Sequence, residues 1–229
     1  MPDNYVIIVA GGTGTRMKSS RPKQFLLLGG KPVIVHAIQK FLDFDKDIRI
    51  VVAVHANYQQ HMHAIFKKYF TGKSFTLVNG GETRFHSVKN ALSAISGIKG
   101  VVGIHDAARP FVSVEVIKRC FTQAHKHGNA IPAVPVNESI RHVSTKGNKA
   151  VSRADYRIIQ TPQCFSLNLI KKAFEKKYSA RFTDDATVLE SIGEKIFLTE
   201  GNYENIKITN PGDMLLAKAY LKNEQRGNY

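Results

Sequence analysis

The sequence predicts an α/β fold built on a mainly parallel twisted sheet flanked by helices on both faces. Three observations carry this. Short apolar runs recur along the 229 residues, at 5–9, 48–54, 101–104 and 130–136. Between them lie segments with apolar residues at helical spacing. The first run breaks into a glycine-rich turn, as the opening strand of an open α/β sheet does when it leads to a ligand.

The first run, Tyr5-Val6-Ile7-Ile8-Val9, reads as a buried strand. Ala10, Gly11, Gly12, Thr13, Gly14, Thr15 and Arg16 follow. Three glycines in four residues let the backbone turn tightly and approach a ligand closely. Their N–H groups can line an anion-binding concavity. Arg16 and Lys23 lie seven residues apart on the same stretch. The combination predicts a cradle for a triphosphate. It is not a P-loop, because no Lys-Ser or Lys-Thr follows a glycine at the required spacing. It is not a dinucleotide fingerprint either, since Met17 stands where the third glycine belongs.

Residues 32–44 predict a helix, 48–54 a buried strand, 57–70 a helix with Ile65, Phe66 and Tyr69 inward, and 75–78 a short strand. Residues 85–95 predict a helix with Val88, Ala91, Leu92 and Ile95 on one face, and 101–104 another strand. Ser113 predicts the N-cap of a helix reaching His127. The run 130–136 carries Pro132 and Pro135, which predicts an edge strand or an early end. Residues 137–157 are polar and irregular, with β-like pieces around Thr145-Lys146-Gly147-Asn148. They predict a protruding hairpin. Helices are expected at 168–177 and 185–192, short strands at 196–199 and 205–209, and a last helix opened by Pro211 and ending near Asn223. There is no internal repeat, low-complexity stretch or interdomain linker, so a single domain spanning 1–229 is expected.

Composition bounds the function. Hydrophobic residues make up 43% and charged residues 22%, the mixture of a globular protein. No apolar run reaches the roughly 20 residues of a membrane span. The first apolar run is too short and too early for a signal-peptide core. Cys120 and Cys164 are the only cysteines and form no C-x-x-C pair, which predicts a reduced, cytoplasmic protein. The net charge of +15 points to anionic substrates, an anionic surface or nucleic acid. The cations are scattered, and no basic stretch is interleaved with aromatics, which argues against specific nucleic-acid binding.

In an open α/β sheet the informative loops follow strands. Residues 80–87, Gly-Gly-Glu-Thr-Arg-Phe-His-Ser, open a helix whose N-terminal N–H groups suit a base or a phosphate; a plain capped helix start is the alternative. Residues 105–110, His-Asp-Ala-Ala-Arg-Pro, place Asp106 at a strand's carboxyl end, where a metal or a sugar hydroxyl would be met. Arg109 is read as pairing with a neighbouring carboxylate to fix the loop, with substrate binding as the second reading. His105 is read as structural. Asp184-Asp185 fits either a metal or acid–base pair or a helix cap. Lys207, flanked by Ile206 and Ile208, can face solvent or the site. No zinc spacing or Ser-His-Asp constellation is present.

Seven stretches in order resemble the 2-C-methyl-D-erythritol 4-phosphate cytidylyltransferase family. They are 10–17 (AGGTGTRM), 22–24 (PKQ), 80–88 (GGETRFHSV), 105–110 (HDAARP), 161–163 (TPQ), 183–186 (TDDA) and 205–213 (NIKITNPGD). The resemblance covers essentially the whole chain. It implies a Rossmann-like nucleotidyltransferase fold with a protruding β-arm at 137–157 for homodimerisation. It further implies transfer of the cytidylyl group of CTP to 2-C-methyl-D-erythritol 4-phosphate, giving the CDP-alcohol and pyrophosphate, with Mg²⁺. Arg16, Lys23 and Lys207 would stabilise the phosphates. Ala10, Gly11, Gly12, Gly14, Gly81, Glu82 and Ser87 would hold the nucleotide. Asp106, Arg109, Ser139, Arg153, Thr161 and Thr183 would hold the polyol phosphate, Arg153 from the partner subunit. Direct metal ligation is assigned to no residue, with Asp106 the one candidate. Glu82 stands where the family usually has aspartate, and Ser139 where it has threonine. A pentitol (ribitol) 5-phosphate cytidylyltransferase is the nearest alternative, disfavoured by the second alanine of 105–110. A basic nucleic-acid-binding protein is the remote one.

Overall fold

The computed structural model describes residues 3–12 and 21–226. The described residues form an eight-stranded mixed sheet. Its parallel core is β1 (Asn4–Ala10), which pairs with β4 (Arg49–Val54) on one side and β6 (Val101–Asp106) on the other, while β5 (Phe75–Asn79) pairs with β4. Two small hairpins stand apart from it: β2 (Leu27–Leu28) with β3 (Lys31–Pro32), and β8 (Arg141–Ser144) with β9 (Gly147–Ala150).

Alternation along the strands sorts the core into two layers. Val6, Ile8, Ile50, Val52 and Val54 face α1 (Val33–Phe44), α2 (Gln59–Tyr69) and α4 (Val114–His127). Tyr5, Ile7, Val51, Ala53, Val102 and Ile104 face α3 (Arg84–Ser93), α5 (Leu167–Ala173) and α6 (Asp185–Glu190). Each fully buried aliphatic side chain contributes roughly 1.5–3 kcal/mol of transfer free energy. Ser113 caps α4 as the sequence predicts, accepting from the Val116 N–H at 3.2 Å, and Gly128 ends that helix with φ +85°.

The strand with two prolines is not an edge. β7 (Asn129–Pro135) is paired on both sides. β12 (Leu198–Glu200) runs parallel along one side; β10 (Arg157–Ile159) and β11 (Gln163–Ser166) run antiparallel along the other. The Pro132 carbonyl accepts from the Gln160 N–H at 2.8 Å. The donor that Pro132 lacks falls where the facing strand is itself interrupted between β10 and β11. Pro135 closes the strand.

Residues 205–209 also differ from expectation. They form no strand; the Ile208 N–H donates to the Ala108 carbonyl at 2.9 Å, and the Ile206 N–H turns back to the Glu204 carbonyl at 2.7 Å. This segment leads into α7 (Pro211–Gln225). Ile208 is buried in a small cluster with Leu28, Val33, Phe111 and Ala217. Apolar burial, not ladder pairing, holds the segment down.

The hairpin predicted at 137–157 is present. Every residue of β8 and β9 is exposed, Val143 at 76%. Among the described residues, no helix is long and apolar enough to cross a membrane.

The chain leaves β1 for β4 on one side and later returns to its other side with β6. Strand order therefore reverses between β1 and β6. A crevice forms outside the carboxyl ends of strands at such a reversal.

Candidate active site

That crevice is a cavity of about 380 Å³, lined by residues from the loops after β1, β5 and β6 and from 205–209. Ala10, Gly11 and Gly12 come from the end of β1, Lys23 and Gln24 from the short helical turn beyond it. Gly81, Glu82, Thr83, Arg84 and Ser87 come from the start of α3, Asp106 from the end of β6, and Lys207 from the 205–209 segment. A larger cavity of about 530 Å³ sits beside the amino ends of β1, β4 and β5, away from these loops.

The glycines are required by close approach. A Cβ on Gly11 would meet Ser87 Oγ at 3.0 Å, and one on Gly81 would meet His86 Cβ at 2.3 Å. Beside Gly12 nothing among the described residues lies within 4 Å of such a Cβ. The 10–12 and 80–87 loops thus pack backbone to backbone and leave Gly12 open to the cavity. Ser87 Oγ accepts from the Gly81 N–H at 3.0 Å and donates to the Thr83 carbonyl at 3.0 Å, which fixes the turn before α3. Gln24, buried, donates to the carbonyls of Ala10 (2.7 Å) and Gly12 (3.1 Å). It ties the end of β1 down through the Ala10 and Gly12 carbonyls, beside the cavity.

Asp106 lies at the cavity floor among three cations. Its Oδ1 is 3.2 Å from Arg84 Nε; its Oδ2 is 2.8 Å from Lys207 Nζ and 3.7 Å from Arg109 Nε. Burial alone would push its carboxyl up, but the charges of Arg84, Lys207 and Arg109 carry it well below the usual carboxylate range. Lys207 faces the cavity, because its neighbours Ile206 and Ile208 pack the other way into the small apolar cluster. Arg109 also donates to the Asn205 carbonyl at 2.7 Å, tying the 105–110 loop to the segment that carries Lys207. The loop-fixing reading of Arg109 describes its observed contacts.

Behind Asp106 runs a fixed chain of donors. The Asp106 N–H donates to Thr161 Oγ1 (3.1 Å), Thr161 Oγ1 donates to His105 Nδ1 (3.1 Å), and His105 Nε2–H donates to the Arg109 carbonyl (3.0 Å). This network requires the neutral Nε2–H tautomer. Burial in an apolar shell that includes the edge of Phe41 pushes the imidazole down to about 4. The unfolded state binds a proton near pH 6.5 and the folded state only near 4, so stability is full above 6.5 and falls by about 3 kcal/mol through that window. In urea titrations His105→Gln should flatten the stability loss between pH 6.5 and 4. An unchanged slope would show that His105 is not the group taking up that proton.

Two aspartates that sequence could not tell apart separate here. Asp184 caps α6, accepting from the Thr187 N–H at 2.9 Å. Asp185 is buried and takes Arg84 Nη1 and Nη2 at 2.7 Å each. Burial pushes the Asp185 carboxyl up, while the adjoining carboxylates hold the Arg84 guanidinium firmly protonated against the cost of its own burial. Gln163 secures this corner, donating to Asp184 Oδ2 (2.8 Å) and accepting from the Ala186 N–H (2.9 Å).

Of the expected site residues, the cavity gathers Ala10, Gly11, Gly12, Lys23, Gly81, Glu82, Ser87, Asp106 and Lys207. Glu82 is exposed at its rim. Thr161 is buried behind Asp106 with its hydroxyl used within the fold. Thr183 is exposed beside α6, and Ser139 and Arg153 lie on the exposed 137–157 segment, where Arg153 donates to the Asn137 carbonyl of its own chain. Arg16 and Gly14 lie outside the described residues. Sequence reasoning left Arg84 and Gln24 unassigned, although both stand inside the recurring motifs at 80–88 and 22–24.

Among the described residues no cluster of three or more His, Cys, Asp or Glu side chains could cage a metal. The donor set fits Mg²⁺ in a narrower sense. That ion keeps several waters and is carried by phosphates with one or two carboxylates, and Asp106 is the carboxylate at the cavity floor.

The chain matches known proteins along nearly its full length. The profile of 2-C-methyl-D-erythritol 4-phosphate cytidylyltransferase matches residues 5–223. The enzyme of that name from Bacteroides fragilis is 47% identical over 215 residues, covering 94% of this chain and 98% of its own. The Clostridium botulinum one is 40% identical, covering 97% and 99%. Among solved structures, the Francisella tularensis cytidylyltransferase superposes with a TM-score of 0.78 at 34% identity, covering 95% of this chain and 99% of that one. The 4-diphosphocytidyl-2C-methyl-D-erythritol synthase of Anaerococcus prevotii superposes at 0.82 and 26% identity, covering 96% and 98%. Matched by that profile over residues 5–223 and by curated relatives at 40–47% identity along nearly the full length, the chain belongs to the 2-C-methyl-D-erythritol 4-phosphate cytidylyltransferase family.

Proposed function

We propose that the protein transfers the cytidylyl group of CTP to 2-C-methyl-D-erythritol 4-phosphate, giving 4-diphosphocytidyl-2-C-methyl-D-erythritol and pyrophosphate. The observation that carries this reading is the cavity's charge. Its floor carboxylate, Asp106, is outnumbered by Arg84, Lys207 and Arg109, and Lys23 adds a fourth cation above it.

A phosphate monoester is mostly dianionic at neutral pH, its second pKa being about 6. It therefore attacks the α-phosphorus of CTP without a general base. A phosphate oxygen forms the new P–O bond as the bond to the pyrophosphate oxygen breaks in line with it. The obstacle is bringing two polyanions together, so positioning and fixed positive charge supply the catalysis. Lys23, Arg16 and the 10–12 backbone would hold the triphosphate, with Lys207 at the α-phosphoryl as charge builds there. Gly81, Glu82 and Ser87 border the nucleoside. Asp106 is oriented toward the polyol by the Thr161 and Arg84 contacts, and Thr183 stands at that side. Bound Mg²⁺ would neutralise phosphate oxygens, with Asp106 as its nearest carboxylate.

Residues 137–157 would be a dimerisation arm on a single-domain body. The arm is exposed throughout its two strands and brings Ser139 and Arg153 to a second copy, so that Arg153 completes the partner's polyol-phosphate site. Two free buried cysteines and the CTP requirement fit a cytoplasmic enzyme.

The test is pyrophosphate release with CTP and Mg²⁺, comparing 2-C-methyl-D-erythritol 4-phosphate with ribitol 5-phosphate. Release with the first alone is expected. Release with ribitol phosphate alone would keep the mechanism and replace the acceptor; silence with both, from folded protein, would overturn the reading.

A further inference from the structure

The cytidylyl-transfer reading uses Asp106 and Lys207 but gives no work to Asp185. That residue is the most completely enclosed charged group of the region, 1% exposed, and it is not the cap of its own helix, because Asp184 is. Its two oxygens receive Arg84 Nη1 and Nη2 at 2.7 Å each, an end-on fork of two parallel bonds. An end-on fork leaves Nε–H on the flank of the guanidinium, and here it meets Asp106 Oδ1 at 3.2 Å. The other Asp106 oxygen holds Lys207 Nζ at 2.8 Å. Four charges from four separate parts of the chain are thus linked in one row: the start of α6, the start of α3, the end of β6 and the 205–209 segment.

Resting on the cytidylyl-transfer reading, we propose that Asp185 is a positioning residue which, through Arg84, fixes Asp106 in the orientation that presents Lys207 to the reacting phosphate. The geometry shows why the fork matters. A planar guanidinium freed from Asp185 can rotate to grip a carboxylate through Nε and Nη2 together. Asp106 is the carboxylate in reach. Two bonds from Arg84 to Asp106 would compete with Lys207 for it, and the ammonium, on a flexible stem, would lose its fixed place. Asp185 prevents this by occupying both Nη groups. It also balances the cations: with Asp185 charged, Arg84, Arg109 and Lys207 face two carboxylates rather than one.

Asp185→Asn keeps the shape but removes one acceptor and turns an N–H₂ toward Arg84. It is expected to lower kcat about tenfold with the KM for CTP within about twofold, since the nucleotide loop keeps its own Ser87 and Gln24 clamps. The deciding measurement is a double-mutant cycle with Lys207→Gln. If Asp185 acts through Lys207, removing the lysine costs at least about threefold less in kcat in the Asp185→Asn background than in the wild type. Independent, multiplying losses would overturn the proposal, as would a rise in the KM for CTP with kcat unchanged, which is what simple loosening of the 80–87 loop produces. Arg84→Lys offers the same cycle should Asp185→Asn fail to fold. Its ammonium keeps the charge but cannot span both carboxylates, so the same coupling to Lys207 is expected. The wild-type assay separates the two readings: an inactive wild type refutes cytidylyl transfer, whereas an active wild type with additive variants refutes only the role of Asp185.

Discussion

Lys23→Ala and Lys207→Ala should each lower kcat by about two to three orders of magnitude while leaving the fold intact, as loss of a single preorganised charge at a developing oxyanion does. The reason lies in what the cavity lacks. Among the described residues its walls carry no cysteine or histidine, and the buried imidazole behind Asp106, His105, is held neutral with both nitrogens used inside the fold. On this reading alignment and positive charge drive the reaction. Lys207 is about a third exposed and, among the described residues, pairs with Asp106, which keeps Arg84 after the substitution. Stability should therefore move little. Steady-state rates of pyrophosphate release, with a thermal melt alongside, check both halves. Turnover within tenfold of wild type in both variants would remove the phosphate cradle from the mechanism.

The second large effect concerns stability. Asp106→Ala leaves Arg84, Lys207 and Arg109 with their shared counter-ion gone, in a floor where Asp106 itself is 10% exposed. Removing one partner of a buried charge cluster costs about 3–5 kcal/mol. For a domain of this size each kcal/mol shifts Tm by about 2–4 °C, so a fall on the order of 10 °C is expected. The sign of the pH dependence is fixed by the depressed carboxyl. Its contribution is fully present above the unfolded carboxylate pKa near 3.9 and is lost as pH falls through the lower folded value. The gap between wild type and variant should stay constant from pH 8 to 5 and close only in strong acid. Scanning calorimetry across that range measures it. A gap that closes by pH 6 would mean that Asp106 is not the ion at the centre of the cluster.

The contrast between Asp106 and Asp185 shows where sequence reading stops. The sequence marked Asp106 at the end of a buried strand and Asp185 at the start of a helix. It placed Asp106 correctly, because a polar residue ending a buried parallel strand can only emerge at the strand's carboxyl edge. Asp185 carries no such constraint. Its partner, Arg84, is 101 positions away, and only the docking of α3 and α6 into the same core layer makes the two meet. The same holds for Gln24, whose role as the clamp of the glycine turn depends on carbonyls 12 and 14 residues earlier.

By itself the sequence determined the alternation of strands and helices, the capped start of α4, the exposed hairpin and the order of the site loops. Each of these is a local matter of period, cap or turn chemistry. Tertiary structure alone decided the rest. It placed the two-proline strand inside the sheet, because the missing donor of Pro132 faces a break in its neighbour rather than solvent. It left 205–209 without the expected strand, because Ile208 is held by a buried apolar pocket rather than by pairing with a neighbouring strand. That burial also turned Lys207 toward the cavity, a choice its apolar neighbours left open in the sequence. Charge followed the same rule: residues far apart in the chain acquired their roles only when folding placed them within hydrogen-bonding distance and removed the water between them.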